Sequence, residues 1–161
     1  MAILKILTEE DPLLRKKSKP VGEVTDRIKR LLDDMTDTMR RAEGVGLAAP
    51  QVGVLRRVVV VECEPGEVIE LIDPVIVEQT GMQRTREGCL SLPGKCGITE
   101  RPMKVTVEAT NREGERFRIS GVGLLAKAFC HELDHLDGIL YSDVAKKMLT
   151  PEELRRMNQD E

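Results

Sequence analysis

Aromatic residues are scarce in this sequence of 161 residues, which contains no tryptophan, one tyrosine and two phenylalanines. A core must therefore be built from Val, Leu, Ile and Met, and nucleobases would find few rings on which to stack. No charge of one sign dominates, because 25 basic and 28 acidic residues are mixed along the chain. Without a broad basic surface, nucleic acid is not expected to be a direct substrate.

Long hydrophobic runs are also missing, and none approaches the roughly 18 residues that a membrane span requires. The apolar residues near the N-terminus are followed at once by Glu9, Glu10 and Asp11, a pattern unlike a signal or transit peptide. These absences predict a cytoplasmic protein with no membrane partner. The length fits a single domain, 1–161, that buries a core without help from disulfides or an obligate partner, so we expect a monomer.

The cysteines do not form a CxxC motif. They stand at Cys63, Cys89, Cys96 and Cys130, in a chain too long to depend on a disulfide framework. We therefore expect reduced thiols, of which at least one is available as a metal ligand.

Apolar spacing predicts helices at both ends of the chain and strands between them. A first helix is expected over about 25–44, a second over 123–136, and a short polar one after the capping box at 150–153. Strands are expected at 57–62, at 68–77 and just before Glu87, and a hairpin joins 104–109 to 115–119.

Grouped strands, flanked by helices that do not alternate with them, predict an α+β fold rather than a doubly wound sheet. We expect mixed or antiparallel sheets packed around the second helix, with an N-terminal helix and a short C-terminal helix. The second helix should be buried, because an apolar stripe runs along it. The stripe consists of Leu125, Phe129, Leu133 and Leu136.

Both histidines of the chain fall on that helix, in the segment His131-Glu132-Leu133-Asp134-His135. Positions i and i+4 of a helix lie one above the other, so two imidazoles at this spacing can reach one cation. Glu132 then stands beside the cation, where a carboxylate can act as a general base on a water. The spacing predicts a catalytic metal site.

Such a site usually has three protein ligands and one open position, and no third histidine exists. A cysteine is a better candidate for the third ligand than the carboxylates downstream of the helix. Cys130 points about 100° away from His131 around the helix, and Cys63 lies in an apolar strand pattern, so both are read as small core residues. Cys89 and Cys96 both stand beside glycines and remain alternatives, with Pro93 expected to end the extended segment between them.

Three motifs, in this order along the chain, resemble those of peptide deformylases of the bacterial type. They are Gly44-x-Gly46-x-Ala48-Ala49-x-Gln51, Glu87-Gly88-Cys89-Leu90-Ser91 and His131-Glu132-x-Asp134-His135. The resemblance covers the chain from Asp11 to about Pro151. It implies one divalent metal ion held by Cys89, His131 and His135. Fe(II) is the ion that the family suggests, although the ligand set also suits Zn(II), Ni(II) or Co(II).

The resemblance also implies an activity, the removal of the formyl group from the N-formylmethionine of newly synthesised polypeptides, with release of formate. Glu132 would be the general base, and the amide of Gln51 with the backbone N–H of Leu90 would hold the oxyanion. The partner is then a nascent formyl-Met polypeptide, and the ribosome is a neighbour.

Substrate binding is expected at residues around these motifs. Gly46 would let the substrate backbone approach as an added strand, while Val45, Leu124 and Ala128 would line an apolar pocket for methionine. Lys127 is charged where an apolar wall is expected, so its ammonium either reaches the pocket rim or faces solvent.

Several alternatives stay open at this point. Glu87, Arg101 and Asp134 could orient the ligands or could form ordinary surface ion pairs. A zinc endopeptidase could use the same helix with another third ligand and a cleft on both sides of the scissile bond. A closed structural site could use both Cys89 and Cys96 with the two histidines, which would leave Glu132 without a task.

Overall fold

The computed structural model describes residues 2–159, in which two antiparallel sheets pack around one helix. The helices are α1 (Asp26–Arg41), α2 (Leu124–Leu136), the single turn α3 (Tyr141–Val144) and α4 (Pro151–Gln159). The strands are β1 (Gly46–Ala48), β2 (Val58–Val61), β3 (Ile69–Thr80), β4 (Gln83–Cys89), β5 (Leu92–Arg101), β6 (Lys104–Thr110), β7 (Arg116–Val122) and β8 (Lys147–Met148).

The larger sheet has the order β1-β2-β3-β6-β7, and the smaller sheet has the order β4-β5-β8. Neighbouring strands are antiparallel in both sheets. Helix α2 contacts strands of each sheet, β1, β2, β6 and β7 of the larger and β5 of the smaller. The predicted α+β fold with a central helix is confirmed.

Strand β2 is buried on both faces, which explains why its sequence is an uninterrupted run of valines. Val59 and Val61 pack with α2, whereas Val58 and Val60 pack with α1. Successive side chains of a strand point to opposite faces, so a strand covered by helices on both sides has no need of polar residues. The larger sheet is therefore the middle layer between the two helices.

Helix α1 begins where the sequence predicts, because Thr25 Oγ1 accepts a hydrogen bond from the Ile28 backbone N–H. On α2, Phe129, Leu133 and Leu136 are buried as expected. Each such side chain contributes about 1.5–3 kcal/mol when fully buried. A helix held on several sides gives its remaining side chains fixed positions.

Strand β5 was not predicted, and the expectation that Pro93 ends the extended segment is wrong. Pro93 is the exposed second residue of β5. The ladder pairs Cys89 with Leu92 and then jumps to Glu87 with Gly97, so Pro93 falls within a bulge. A proline there removes no ladder hydrogen bond, which is why the strand tolerates it.

Cys63 is likewise placed differently from the expectation. Strand β2 ends at Val61, and Cys63 lies beyond it and is partly exposed. None of the helices in residues 2–159 has the length and apolar character needed to cross a membrane. The single domain 1–161 stays a prediction, and residues 1, 160 and 161 lie outside the described part of the chain.

Candidate metal centre and substrate cavity

The end of β4 meets one face of α2, and there Cys89 joins the two histidines. The Cys89 Sγ atom and one nitrogen of each ring of His131 and His135 lie within 4.8 Å of one another. The Sγ atom is 3.3 Å from His135 Nε2. One thiol and two imidazoles in this arrangement form a donor set suited to a divalent transition metal.

Cys96, the alternative ligand, and Cys130, which was expected in the core, both lie outside this donor group. Cys96 is on β5 and does not belong to this donor group among the described residues. Cys130 is buried in the core on α2, where desolvation raises the pKa of its thiol to about 11. The structure therefore brings Cys89, and not Cys96, to the histidines.

The ring of His131 is oriented by Glu87, a residue of β4. The His131 Nδ1–H donates to Glu87 Oε1 at 2.5 Å, which leaves the other ring nitrogen for the donor group. For His135, burial is the main cause that lowers the pKa, to about 3. A neutral imidazole is the form that binds a metal.

Glu87 itself is held by a buried polar network. Arg101 donates from Nη2 to Oε1 at 2.7 Å and from Nε to Oε2 at 3.1 Å, and Thr99 Oγ1 donates to Oε2 at 2.6 Å. Arg101 also donates to Asp134 Oδ2 at 2.8 Å. Burial acts to raise the pKa of Glu87, but the hydrogen bonds from His131 and Arg101 outweigh it and lower the pKa to about 2. The alternative of ordinary surface ion pairs is wrong for Glu87 and Arg101, since both are buried.

Glu132 is 4% exposed and lies against β1. A Cβ atom at Gly46 would lie 2.5 Å from Glu132 Oε2, so any larger residue there would displace the carboxylate. The other carboxylate oxygen, Oε1, is buried and has no hydrogen-bond partner among residues 2–159. Burial raises the pKa of Glu132 to about 7. An unpaired carboxylate oxygen next to the donor group is available to accept a proton.

Gln51, 1% exposed, is fixed by the Ala48 backbone N–H, which donates to its Oε1 at 2.9 Å. Its Nε2 donates to Ser91 Oγ at 3.0 Å and to Cys89 Sγ at 3.5 Å. The Ser91 backbone N–H also donates to this sulfur, at 3.4 Å. The amide of Gln51 thus faces the predicted ligand, and its role at an oxyanion stays a prediction.

Beside the donor group lies a cavity of about 360 Å³. Its walls include all the residues predicted to bind substrate or to act on it, together with two of the predicted ligands. These are Val45, Gly46, Leu124, Ala128, Gln51, Leu90, Glu132, Cys89 and His131. Val45 and Leu124 are exposed, whereas Ala128 is buried.

Lys127 also lines this cavity and is half-buried, so it does not extend freely into solvent. Its ammonium donates to Thr85 Oγ1 at 3.0 Å and to the Arg86 carbonyl at 2.9 Å, so it is tied to β4.

Two residues near the donor group were missed by sequence reasoning. Tyr141 is buried and stacks on His131, with ring centroids 5.9 Å apart and planes 25° from parallel. It lies on the short turn α3, where no periodicity marks it. Ser91 was part of the motif that contains Cys89, and its position two residues after a candidate ligand was the available signal.

Comparison with known proteins gives a consistent result. A family model described as polypeptide deformylase matches residues 3–150. The peptide deformylase of Acetivibrio thermocellus is 53% identical over 160 residues, which cover 99% of this chain and 94% of that protein. That of Alkaliphilus metalliredigens is 56% identical over 143 residues, 89% of this chain and 97% of that protein.

Solved structures agree with these sequence matches. The crystal structure of peptide deformylase from Thermotoga maritima matches with a TM-score of 0.87 at 35% identity, over 91% of this chain and 99% of that one. A peptide deformylase from Legionella pneumophila matches with a TM-score of 0.86 at 42% identity, over 98% and 96%. Sequence and fold therefore match over nearly the whole length.

Proposed function

Because the chain belongs to the polypeptide deformylase family, we propose that it hydrolyses the formyl group from the N-formylmethionine of newly synthesised polypeptides. The observation that carries this proposal is one cavity that has both parts of a hydrolytic centre on its wall. The donor group of Cys89, His131 and His135, of which Cys89 and His131 line the cavity, is one part, and the unpaired carboxylate of Glu132 is the other.

One divalent cation per chain is the proposed cofactor, and Fe(II) is the proposed ion, with Zn(II), Ni(II) and Co(II) also suited to the donors. The fit rests on a thiol and two imidazoles that converge, and on a His131 ring oriented by Glu87. Bound there, a divalent ion would make a water more acidic and would polarise a carbonyl oxygen.

Glu132 carries the proton in this proposal. Its carboxylate accepts a proton from the attacking water, whose oxygen bonds to the formyl carbon. When the carbon–nitrogen bond breaks, Glu132 returns the proton to the departing nitrogen. The products are formate and a free amino terminus, and the carboxylate is regenerated.

The developing oxyanion requires hydrogen-bond donors, and we assign this role to the backbone N–H of Leu90 and the amide of Gln51. Leu90 follows Cys89 directly and lines the cavity. Of the two hydrogen bonds that Gln51 Nε2 donates, the 3.5 Å contact with Cys89 Sγ is the longer and weaker. That N–H is the one available to turn toward an oxyanion.

Strand β1 gives the substrate backbone a place to bind. It is the terminal strand of the larger sheet and includes Gly46, so an extended peptide could add to it through main-chain hydrogen bonds. The first side chain would then enter the cavity between Val45, Leu124 and Ala128. Recognition through the backbone would tolerate many different second residues.

The two competing functions lack this support. A closed structural site would need Cys96 near the histidines, and Cys96 lies outside the donor group. An endopeptidase would need another third ligand, whereas Cys89 already lies 3.3 Å from His135 Nε2.

Formate release tests the proposal. We expect metal-loaded protein, prepared without oxygen, to release formate from formyl-Met-Ala-Ser and to leave the unformylated peptide uncut. Glu132→Ala and Cys89→Ser should lose this activity. Glu113→Ala, which removes an exposed carboxylate from a distant turn, and Cys96→Ser are the matched controls and should keep it. Cleavage of the peptide without formate release would overturn the proposal.

The cellular setting follows from the proposed substrate. Formylated chains are made by the ribosome, so we place the activity in the cytoplasm beside it, and we propose that the protein acts as a monomer. A thiolate beside Fe(II) also predicts oxygen sensitivity. Equal activity after aerobic and anaerobic iron loading would argue against iron.

A further inference from the structure

The cavity wall includes several charged residues, and of these only Lys127 stands between Leu124 and Ala128 in the sequence of α2. The others are Glu43, Arg86, Glu87 and Glu132. Lys127 lies on α2 one turn before His131 and lines the cavity with Leu124 and Ala128. Its ammonium is held by two acceptors on β4, Thr85 Oγ1 and the Arg86 carbonyl. The side chain is half-buried, and these two bonds keep it from extending into bulk water.

An ammonium group has three N–H donors. Two of them are used by the acceptors on β4, which leaves one N–H for a further acceptor. A half-buried cation with one unused donor, on the wall of a binding cavity, is able to bind a hydrogen-bond acceptor of a ligand.

Lys127 lies about one turn of α2 away from His131. A rise of 1.5 Å per residue places it about 6 Å along α2 from His131. The formyl group has to react near His131 and Glu132, and the first side chain of the substrate extends from there between Leu124 and Ala128. A side chain that extends along this wall passes Lys127.

We propose that Lys127 makes this cavity accept a first residue that ends in a hydrogen-bond acceptor, so that formylmethionine sulfoxide chains are substrates alongside formylmethionine chains. This inference rests on the proposed deformylase function and specifies its substrate class. A thioether sulfur is a weak acceptor, whereas oxidation converts it into a polar sulfoxide. In a purely apolar pocket the sulfoxide oxygen would lose its water without compensation, and Lys127 supplies the replacement hydrogen bond.

The competing explanation for Lys127 is structural, because its two hydrogen bonds join α2 to β4. A residue that acts only as such a connection affects every substrate equally. A residue that contacts the substrate changes the selectivity between side chains that have an acceptor and side chains that lack one. Selectivity therefore distinguishes the two roles.

The test compares three tripeptides by formate release: formyl-Met-Ala-Ser, its methionine sulfoxide form, and formyl-norleucine-Ala-Ser, which has no acceptor. We expect the wild-type protein to process the sulfoxide at least as well as the norleucine peptide, judged by kcat/KM. Lys127→Met should lower the sulfoxide-to-norleucine ratio about 10- to 100-fold, the effect of losing one hydrogen bond to a charged donor. Lys127→Gln keeps an N–H donor and should restore part of the ratio.

Lys17→Met is the matched control, since Lys17 is an exposed lysine in the N-terminal segment. It should leave the ratio as in the wild type. If Lys127→Met lowers kcat/KM equally for all three peptides, Lys127 is a structural connection and the inference fails while the deformylase function stands. Strong rejection of the sulfoxide by the wild-type protein overturns the inference without any variant. Absence of formate from every peptide overturns the proposed function and this inference with it.

Discussion

Helices α1 and α2 pack on opposite faces of the same strand, β2, yet they bury different chemistry. Helix α1 covers Val58 and Val60 with apolar side chains such as Leu32 and Met35. Helix α2 covers Val59 and Val61 with one stripe but buries two histidines and a carboxylate with the other.

The difference lies in what burial costs on each side. Apolar side chains gain free energy when they leave water, whereas a buried polar group loses it unless it finds a partner. Around α2 some groups are paired, as His131 is with Glu87. Others are not, since Glu132 Oε1 and His135 Nδ1 are buried without a hydrogen-bond partner among the described residues. Helix α1 also buries unpaired oxygens, on Thr36 and Asp37, but only on α2 do unpaired groups lie beside the donor group. Both helices contribute apolar side chains to the core, and α2 in addition contributes a site whose unpaired groups cost stability.

The largest expected effect is a loss of activity when the unpaired carboxylate of α2 is removed. Glu132→Gln keeps the size of the side chain but removes the general base, so we expect kcat to fall about 10²- to 10⁴-fold. The thermal unfolding midpoint should not fall, because an unpaired buried carboxylate is replaced by a neutral amide. Formate release and thermal denaturation of the same preparation measure the activity and the stability of the variant. A loss of stability equal to that of a core variant would contradict the proposed difference between α1 and α2.

Breaking the hydrogen-bond network that joins Arg101, Glu87 and His131 should lower both the stability of the protein and its metal affinity. Arg101→Met leaves Glu87 buried without its main cationic partner, which we expect to cost about 3–5 kcal/mol in the free energy of unfolding. Looser orientation of His131 should also weaken metal affinity about 10- to 100-fold. Denaturant titration and a competition assay with a chelator measure the two effects. Unchanged metal affinity would show that the network does not orient the ring.

On the α1 side, the same comparison predicts a loss of stability without a loss of chemistry. Leu32→Ala removes a fully buried side chain far from the donor group and should cost about 2–5 kcal/mol. The kcat of the folded fraction should stay at the wild-type value. Unfolding by denaturant and turnover below the transition provide the measurements, and a lowered kcat would mean that α1 does more than support the sheet.

The smallest expected effect tests the contact between β1 and α2. Gly46→Ala places a methyl group against Glu132 Oε2, and we expect the overpacking to cost about 1–3 kcal/mol. In a Glu132→Ala background the same substitution should cost much less, because the clashing atoms are gone. A double-mutant cycle of unfolding free energies gives this coupling, and additive costs would show that the glycine is needed for another reason.

The sequence allowed the local parts of this comparison to be predicted. Both helices, the valine run of β2 and the hairpin of β6 with β7 follow from spacing and turn residues, and the structure has them where they were expected. Strand β5 escaped prediction because its Pro93 and two glycines resemble a loop. Only the bulge in its pairing with β4 makes a strand possible there.

For the site, the order of the motifs identified the family and hence the expected roles of Cys89 and Gln51. The sequence did not show which residues contact Cys89, Gln51 and the histidines in the fold. Ser91 and Tyr141 carry no pattern of their own, yet one bonds to Gln51 and the other stacks on His131. Lys127 stood out as an anomaly, but its ties to β4 could not be predicted from its position on a helix.

The sequence alone determined that His131, Glu132 and His135 would lie together, because one turn of helix sets their spacing whatever surrounds it. Spacing left Cys89 and Cys96 as alternatives and only the family resemblance favoured Cys89; the tertiary structure is what places Cys89 beside the histidines and Gly46 against Glu132. Those choices depend on the register of β4 with β5 and on where α2 packs between two sheets. The contacts of Cys89 with His135 and of Gly46 with Glu132 each join residues more than forty positions apart, and long-range packing, not local periodicity, decides that these residues meet.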